Sequence, residues 1–234
     1  MNKYHTEILE EIKALAPKRP DQSFGKSYFG TTDYYYGLKV PEQRDIAKNF
    51  KKKHPSITFS EYITLINSLL SAKSIEEKTI AGRIVENYTD FKRDIHSQML
   101  ERWLNGLDGW VEIDSFCYGL LDEDLILSDW KKWSTFVTRL ANEKNLNKHR
   151  ASLVLLVKPV RTATDERVPE LAFQLIDTLK GERAVLVTKA ISWLLRELVK
   201  LNKKEVKKYL KKNKNKLPAI AVRETSKKIE TGKK

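Results

Sequence analysis

Cysteine is almost missing from this 234-residue chain, where Cys117 stands alone. A single cysteine excludes an intrachain disulfide and a cysteine-built zinc site. Histidine is nearly as scarce, and His5, His54, His96 and His149 are scattered without metal-ligand spacing. No metal and no cofactor are expected. Glycine and proline number only nine and seven. No glycine-rich phosphate loop occurs, and no Pro/Gly/Ser-rich linker interrupts the chain. No apolar run approaches about 18 residues, so no membrane-spanning helix is expected. The opening Met-Asn-Lys-Tyr-His-Thr-Glu is unlike a signal peptide, and no lipidation signal is visible. An intracellular, cytoplasmic protein with no membrane partner is expected, and a monomer.

Negative charge is also short. Lysine and arginine total 44 against 31 acidic residues, a net charge of +13. A positive field of this size points to a polyanion, nucleic acid first. The surplus is concentrated at one end. Residues 200–234 hold thirteen lysines and Arg223 against three glutamates, a surplus of eleven, and the remainder has a surplus of two. Such an end either grips phosphates or is a solvated tail.

What the chain does have is helical periodicity and enough apolar content, 41%, to build a core. Alternating strand patterns are absent. The pattern predicts helices near 3–17, 41–53, 59–71, 74–88, 90–104, 109–121, 129–142, 147–158, 165–179, 183–201, 203–213 and 218–230. Pro41 suits a first helical turn, Ser74 with Glu77 makes a capping box, and Asp90 and Asn147 are candidate N-caps. The tyrosine-rich segment 22–40, with Gly25, Gly30 and Gly37, reads as irregular. Short helices joined by short turns predict an all-α fold, a superhelical solenoid of antiparallel helix pairs of the HEAT or ARM type. A single domain over 1–234 is expected, with a lysine-rich C-terminal segment at about 200–234.

Three features could carry chemistry. On a helical wheel the apolar arc of 109–121 holds Trp110, Ile113, Phe116, Cys117, Tyr118, Leu120 and Leu121, with Glu112, Ser115 and Gly119 opposite. Asp114 falls inside that arc, one turn from Trp110. A carboxylate there is either used or paired with a structural arginine. Arg150 is placed in the first turn of a predicted helix, where free amides attract anions and a forked guanidinium suits phosphate; an ordinary surface arginine is the alternative. Trp193 lies at the edge of an apolar arc beside Lys189, Arg196 and Lys200, suiting a sugar, base or cation; the alternative is a half-buried boundary indole.

Taken in order, several segments resemble one family: Tyr28 with Tyr36-Gly37-Leu38-Lys39-Val40-Pro41-Glu42-Gln43-Arg44, Trp110-Val111-Glu112-Ile113-Asp114, His149-Arg150-Ala151-Ser152, Ile191-Ser192-Trp193-Leu194-Leu195-Arg196-Glu197, and Val222-Arg223-Glu224-Thr225-Ser226. Over nearly its whole length the chain is similar to the AlkD branch of the AlkC/AlkD alkylpurine DNA glycosylases, all-helical proteins of HEAT-like repeats. The resemblance implies that Trp110, Trp193 and Asp114 are catalytic. It implies that Arg150 and Tyr28 bind DNA, with Lys189, Arg196 and Arg223 on the same basic surface. It also implies duplex DNA with alkylated purines as the partner, and hence a nucleoid association. The family often has a second aromatic before its first cleft tryptophan, where this chain has Gly109.

These residue types suit the implied reaction. A purine alkylated at N3 or N7 is cationic and leaves as a neutral base, so it needs little protonation. Positive charge develops on the sugar instead, and a carboxylate there stabilises it. Asp114 would do this and could position the attacking water. The indoles would hold sugar and cation, and Arg150 the adjacent phosphate. The family is understood to work without a conventional base-flipping pocket, and no base-edge reader is apparent here. A non-catalytic binder of damaged or branched DNA and a protein-interaction scaffold are the competing readings.

Overall fold

The structure is a computed structural model describing residues 2–233, and it is all-helical apart from an isolated bridge between Tyr34 and Ser74. Contacts group the chain into two units, Met1–Leu120 and Leu121–Lys234.

The first unit contains α1 (Lys3–Leu15), α2 (Gln22–Phe29), α3 (Val40–Lys53), α4 (Phe59–Leu70), α5 (Ile75–Asn87), a 3-10 turn (Thr89–Asp94), α6 (Ser97–Leu104) and α7 (Gly109–Cys117). Helices α1, α3, α5 and α7 contact one another in sequence, and α4 packs on α1 and α5. Ile8, Ile12, Ile46, Phe50, Leu65 and Ile84 fill the space between them, each contributing roughly 1.5–3 kcal/mol of burial. Caps set the starts. Thr58 and Glu61 form a reciprocal box on α4, and Ser74 accepts from the Glu77 amide on α5. Pro41 occupies the first turn of α3, as expected. Buried polar groups dock α1: His5 lies 2.6 Å from Ser68 Oγ and 2.6 Å from Glu77 Oε1.

The segment 22–40 is not irregular throughout. Asp21 accepts from the amides of Ser23 and Phe24 and starts α2, which ends at Gly30 with φ +74°. An eight-residue helix with Gly25 inside it leaves little periodic trace. Gly25 stands there because Tyr35 Cβ would lie 2.8 Å from any added Cβ. The loop after α2 is held by one carboxylate: Glu76 accepts from the amides of Tyr36, Gly37 and Leu38 at 2.9, 2.9 and 3.1 Å. The helix expected over 90–104 is broken. Asp90 falls within the 3-10 turn and is not an N-cap; Ile95 turns extended and is fully buried, and His96 restarts the helix as the N-cap of α6.

The second unit contains α8 (Glu123–Ser128), α9 (Trp130–Asn142), α10 (Leu146–Val154), α11 (Pro159–Thr162), α12 (Arg167–Leu179), α13 (Val185–Leu198), α14 (Lys203–Asn213) and α15 (Ala219–Thr231). Helix α10 packs on α9 and α13, α13 on α15, and α12 lies against α9 and α13. Helices α8 and α11 are too short for a periodic pattern to reveal. Glu123 ties them by accepting from the Asp165 amide at 3.0 Å, just beyond α11. The N-cap of α10 is Asn145, not Asn147, because its side chain accepts from the amides of Asn147 and Lys148. Among the described residues no helix is long and apolar enough to cross a membrane.

Candidate functional site

In the first unit the predicted site residues centre on α7, but the face it buries differs from the wheel. Gly109, Glu112, Ile113, Phe116 and Cys117 are buried, whereas Trp110, Asp114 and Tyr118 form a half-buried stripe at successive turns. The deeply buried carboxylate is therefore Glu112, at 0% exposure. The cause is a small-residue contact that polarity alone conceals. A Cβ on Gly82 of α5 would lie 2.3 Å from Ser115 O, and one on Gly119 2.7 Å from Glu86. Helix α5 approaches α7 backbone to backbone, which draws the "polar" side of the wheel inward. Asp114 is left half-buried at the edge of that contact.

Glu112 is occupied structurally. Its Oε2 accepts from the Asp108 amide at 2.8 Å and lies 3.2 Å from Lys78 Nζ, which also pairs with Asp33. Burial pushes Glu112 up to about 7, against the Asp108 amide and Lys78, which lower it. Burial also opposes the charge on Lys78, yet Asp33 and Glu112 raise its pKa on balance. One cation between two carboxylates is electrically balanced when the cluster holds one proton. A folded pKa above the unfolded value means the native state binds the extra proton between about pH 4.5 and 7. Stability is lost as pH rises through that window. Glu112→Gln is expected to remove this dependence. Urea unfolding at pH 5 and pH 8 should show the parent losing about 2 kcal/mol relative to the variant on alkalinisation; an equal difference at both pH values would contradict the buried, protonated state.

Around Trp110 the aromatic residues of α2 assemble. Trp110 Nε1 donates to Tyr28 O at 2.7 Å, and the Tyr28 ring sits edge-on to the indole at 5.4 Å. Phe29 lies 5.7 Å from Trp110, and Phe24 stacks on Tyr28 at 5.1 Å. Tyr28 remains 55% exposed. The glycine at 109 now has a reason. Its φ is +69°, and a Cβ would lie 2.3 Å from Phe29 O. The backbone of 29–30 occupies the place where a side chain at 109 would stand, and the nearby aromatic surface comes from α2.

In the second unit Arg150 departs from its predicted setting. With Asn145 as the cap, it falls beyond the first turn of α10, is 4% exposed, and donates through Nη1 to Leu186 O in the first turn of α13. Trp193 of α13 is half-buried and lines a pocket of about 140 Å³ with Arg196, Glu197, Lys200 and Lys228. Arg196 is engaged there: Nη1 lies 3.0 Å from Glu224 and Nε donates to Ser192 O at 3.2 Å. Lys200 pairs with Glu197 at 2.6 Å. Lys189, one turn before Trp193, and Arg223 are exposed. The structure thus joins Tyr28 to Trp110, and Trp193 to Arg196 and Lys200.

Sequence reasoning missed Phe24 and Phe29 as partners of Trp110, and the Lys78–Asp33–Glu112 cluster. The signal for the helix contact was available: an isolated glycine inside a helical pattern, Gly82, which meets Ser115, with a second small residue, Gly119, one turn further on against Glu86. The buried cluster has no such local signal, since its members are far apart in the chain. Among the described residues no group of three His, Cys, Asp or Glu is arranged to hold a metal ion.

The comparisons with known proteins follow the same direction. A family model described as DNA alkylation repair enzyme matches residues 8–229. A solved structure described as a "predicted DNA alkylation repair enzyme from Enterococcus faecalis" is similar at TM-score 0.73 and 16% identity, covering 92% of this chain and 99% of that one. At that identity the likeness concerns the fold. No curated protein matches the chain significantly.

Proposed function

We propose, from the premise that the chain belongs to the DNA alkylation repair enzyme family, that it is a monofunctional DNA glycosylase. Its substrates are cationic N3- and N7-alkylated purines in duplex DNA, 3-methyladenine and 7-methylguanine among them, and it hydrolyses their N-glycosidic bond. The observation that carries the reading is Asp114, a half-buried carboxylate one turn from a half-buried indole. Glu112 on the same helix is sealed from solvent and occupied by Lys78 and an amide, so it cannot meet a substrate.

In this reading the electron pair of the breaking glycosidic bond goes to the cationic purine, which leaves neutral, and the positive charge passes to the sugar, which becomes oxocarbenium-like. Asp114 stabilises that charge and orients water for attack at the anomeric carbon. Trp110, fixed by its bond to the Tyr28 carbonyl, presents an aromatic surface to sugar and cation. Trp193 supplies a second such surface. Arg150, whose forked guanidinium suits phosphate, contacts the DNA backbone, and Tyr28, Lys189, Arg196 and Arg223 add DNA contacts. Selection comes from the lability and charge of the lesion, without a conventional base-flipping pocket.

The test is incubation with methylated duplex DNA and no added metal, followed by chromatography of the released bases. Release of 7-methylguanine or 3-methyladenine is expected. A non-catalytic DNA binder is the second reading, favoured by the exposed lysines of α14; tight, salt-sensitive binding without base release would establish that instead.

A further inference from the structure

The lysine-rich end is a folded helix on a packed unit. Val206 and Leu210 are buried and seat α14. Tyr209 packs against Phe173 of α12 at 4.9 Å and donates to Asp177 at 2.8 Å, and Lys180 reaches the Asn213 side chain at 3.0 Å. Away from this seat lie Lys203, Lys204, Lys207, Lys208, Lys211 and Lys212, all exposed. Among the described residues no carboxylate pairs with any of them, and Glu205 is the one acidic residue on the helix. Several cations elsewhere in the same unit do have acidic partners: Arg161 and Lys200 pair with Glu197, Arg167 with Asp165, Lys180 with Asp177 and Arg196 with Glu224.

Like charges one turn apart repel, so a face of this kind costs stability unless a polyanion neutralises it. Lysines one turn apart stand about 6 Å apart along the axis. Duplex DNA carries one charge per roughly 1.7 Å of its length, both strands counted, so a helix about 16 Å long lies along a stretch that holds about nine phosphates. Flexible ammonium groups engage phosphates as point charges and impose no register. A lipid surface would attract the same charges, but an interfacial helix needs a free apolar face to insert. The apolar residues of α14 are already buried in the protein.

We propose that the lysine face of α14 is a second, sequence-independent contact for the phosphate backbone of duplex DNA, beside α12 and separate from the α10 and α13 positions of Arg150 and Trp193. It rests on the reading of the chain as a DNA-binding repair enzyme, and is independent of the role of Asp114.

The experiment uses the full chain, the variant with Lys204, Lys207, Lys208 and Lys211 all changed to Gln, and a variant with the same four changed to Arg. Affinity for an undamaged duplex is measured across a range of salt. The slope of log affinity against log salt should fall by about 3–4 in the Gln variant, about 0.9 per lost contact. Its affinity at low salt should fall at least about tenfold, and the Arg variant should keep the parent slope. Thermal melting checks that the Gln variant is folded. A slope unchanged in the folded Gln variant, or lost equally in the Arg variant, overturns the proposal. So does an unchanged DNA slope accompanied by lost binding to phosphatidylserine vesicles, which assigns the face to membranes. Because the duplex carries no lesion, failure of the parent to release alkylated bases sinks the glycosylase reading alone.

Discussion

Asp114→Asn is expected to lower single-turnover excision of 7-methylguanine by at least about tenfold, a loss of about 1.4 kcal/mol of transition-state stabilisation, with duplex affinity retained. The substitution keeps shape and hydrogen bonding but removes the charge, and the proposed work of Asp114 is electrostatic. An amide can still orient water, so any activity left in the variant measures how much positioning contributes without charge. A general-acid role is not required, because the cationic purine leaves as a neutral base. Single-turnover kinetics isolate the bond-breaking step from product release. Unchanged excision with binding intact would remove Asp114 from the reaction.

Gly82→Ala is expected to destabilise the protein by about 2–3 kcal/mol, although alanine is the better helix former. In an unconstrained helix the exchange would gain about 0.5–1 kcal/mol. At this position the new Cβ would lie 2.3 Å from Ser115 O and 2.7 Å from Phe116 Cα. Both are backbone atoms, so α7 must move away from α5 and the overpacking cost prevails. Gly181 provides the control, since nothing lies within 4 Å of a Cβ added there, and Gly181→Ala should leave stability nearly unchanged. The displacement also bears on function. Asp114 precedes Ser115 directly, and small misplacements of a reacting group are costly. Excision by the folded fraction of Gly82→Ala should therefore fall about tenfold, beyond any loss of folded protein. Equal melting temperatures for the parent and Gly82→Ala would refute the close helix approach.

These two positions also show what the sequence could and could not disclose. Helix α14 was legible over 203–213 because Val206 and Leu210 repeat at i and i+4 amid lysines. The all-helical class followed from the same periodicity along the chain. The orientation of α7 was not legible, because a wheel scores each residue by its own polarity. Ser115 and Gly119 look solvent-facing until Gly82 and Glu86 of α5 are set against them. Glu112 then goes inward, where Lys78 and the Asp108 amide accommodate it. Arg150 was misplaced by a two-residue shift of the cap, from Asn147 to Asn145. The loop after α2 escaped for another reason: its amides are satisfied by Glu76, about forty residues away, and no local pattern encodes such a pairing. Candidate residues were easier to single out than their surroundings, since an indole and a carboxylate one turn apart stand out wherever the helix points.

The most direct test of the account follows the alkyl group itself. Duplex DNA carrying a radiolabelled methyl group on its purines is incubated with the chain in the presence of a chelator, and the products are separated. The label is expected to leave as free 7-methylguanine and 3-methyladenine, with abasic sites remaining in the strand. Label transferred to the protein or lost as a one-carbon product, with the purines left in place, would contradict it.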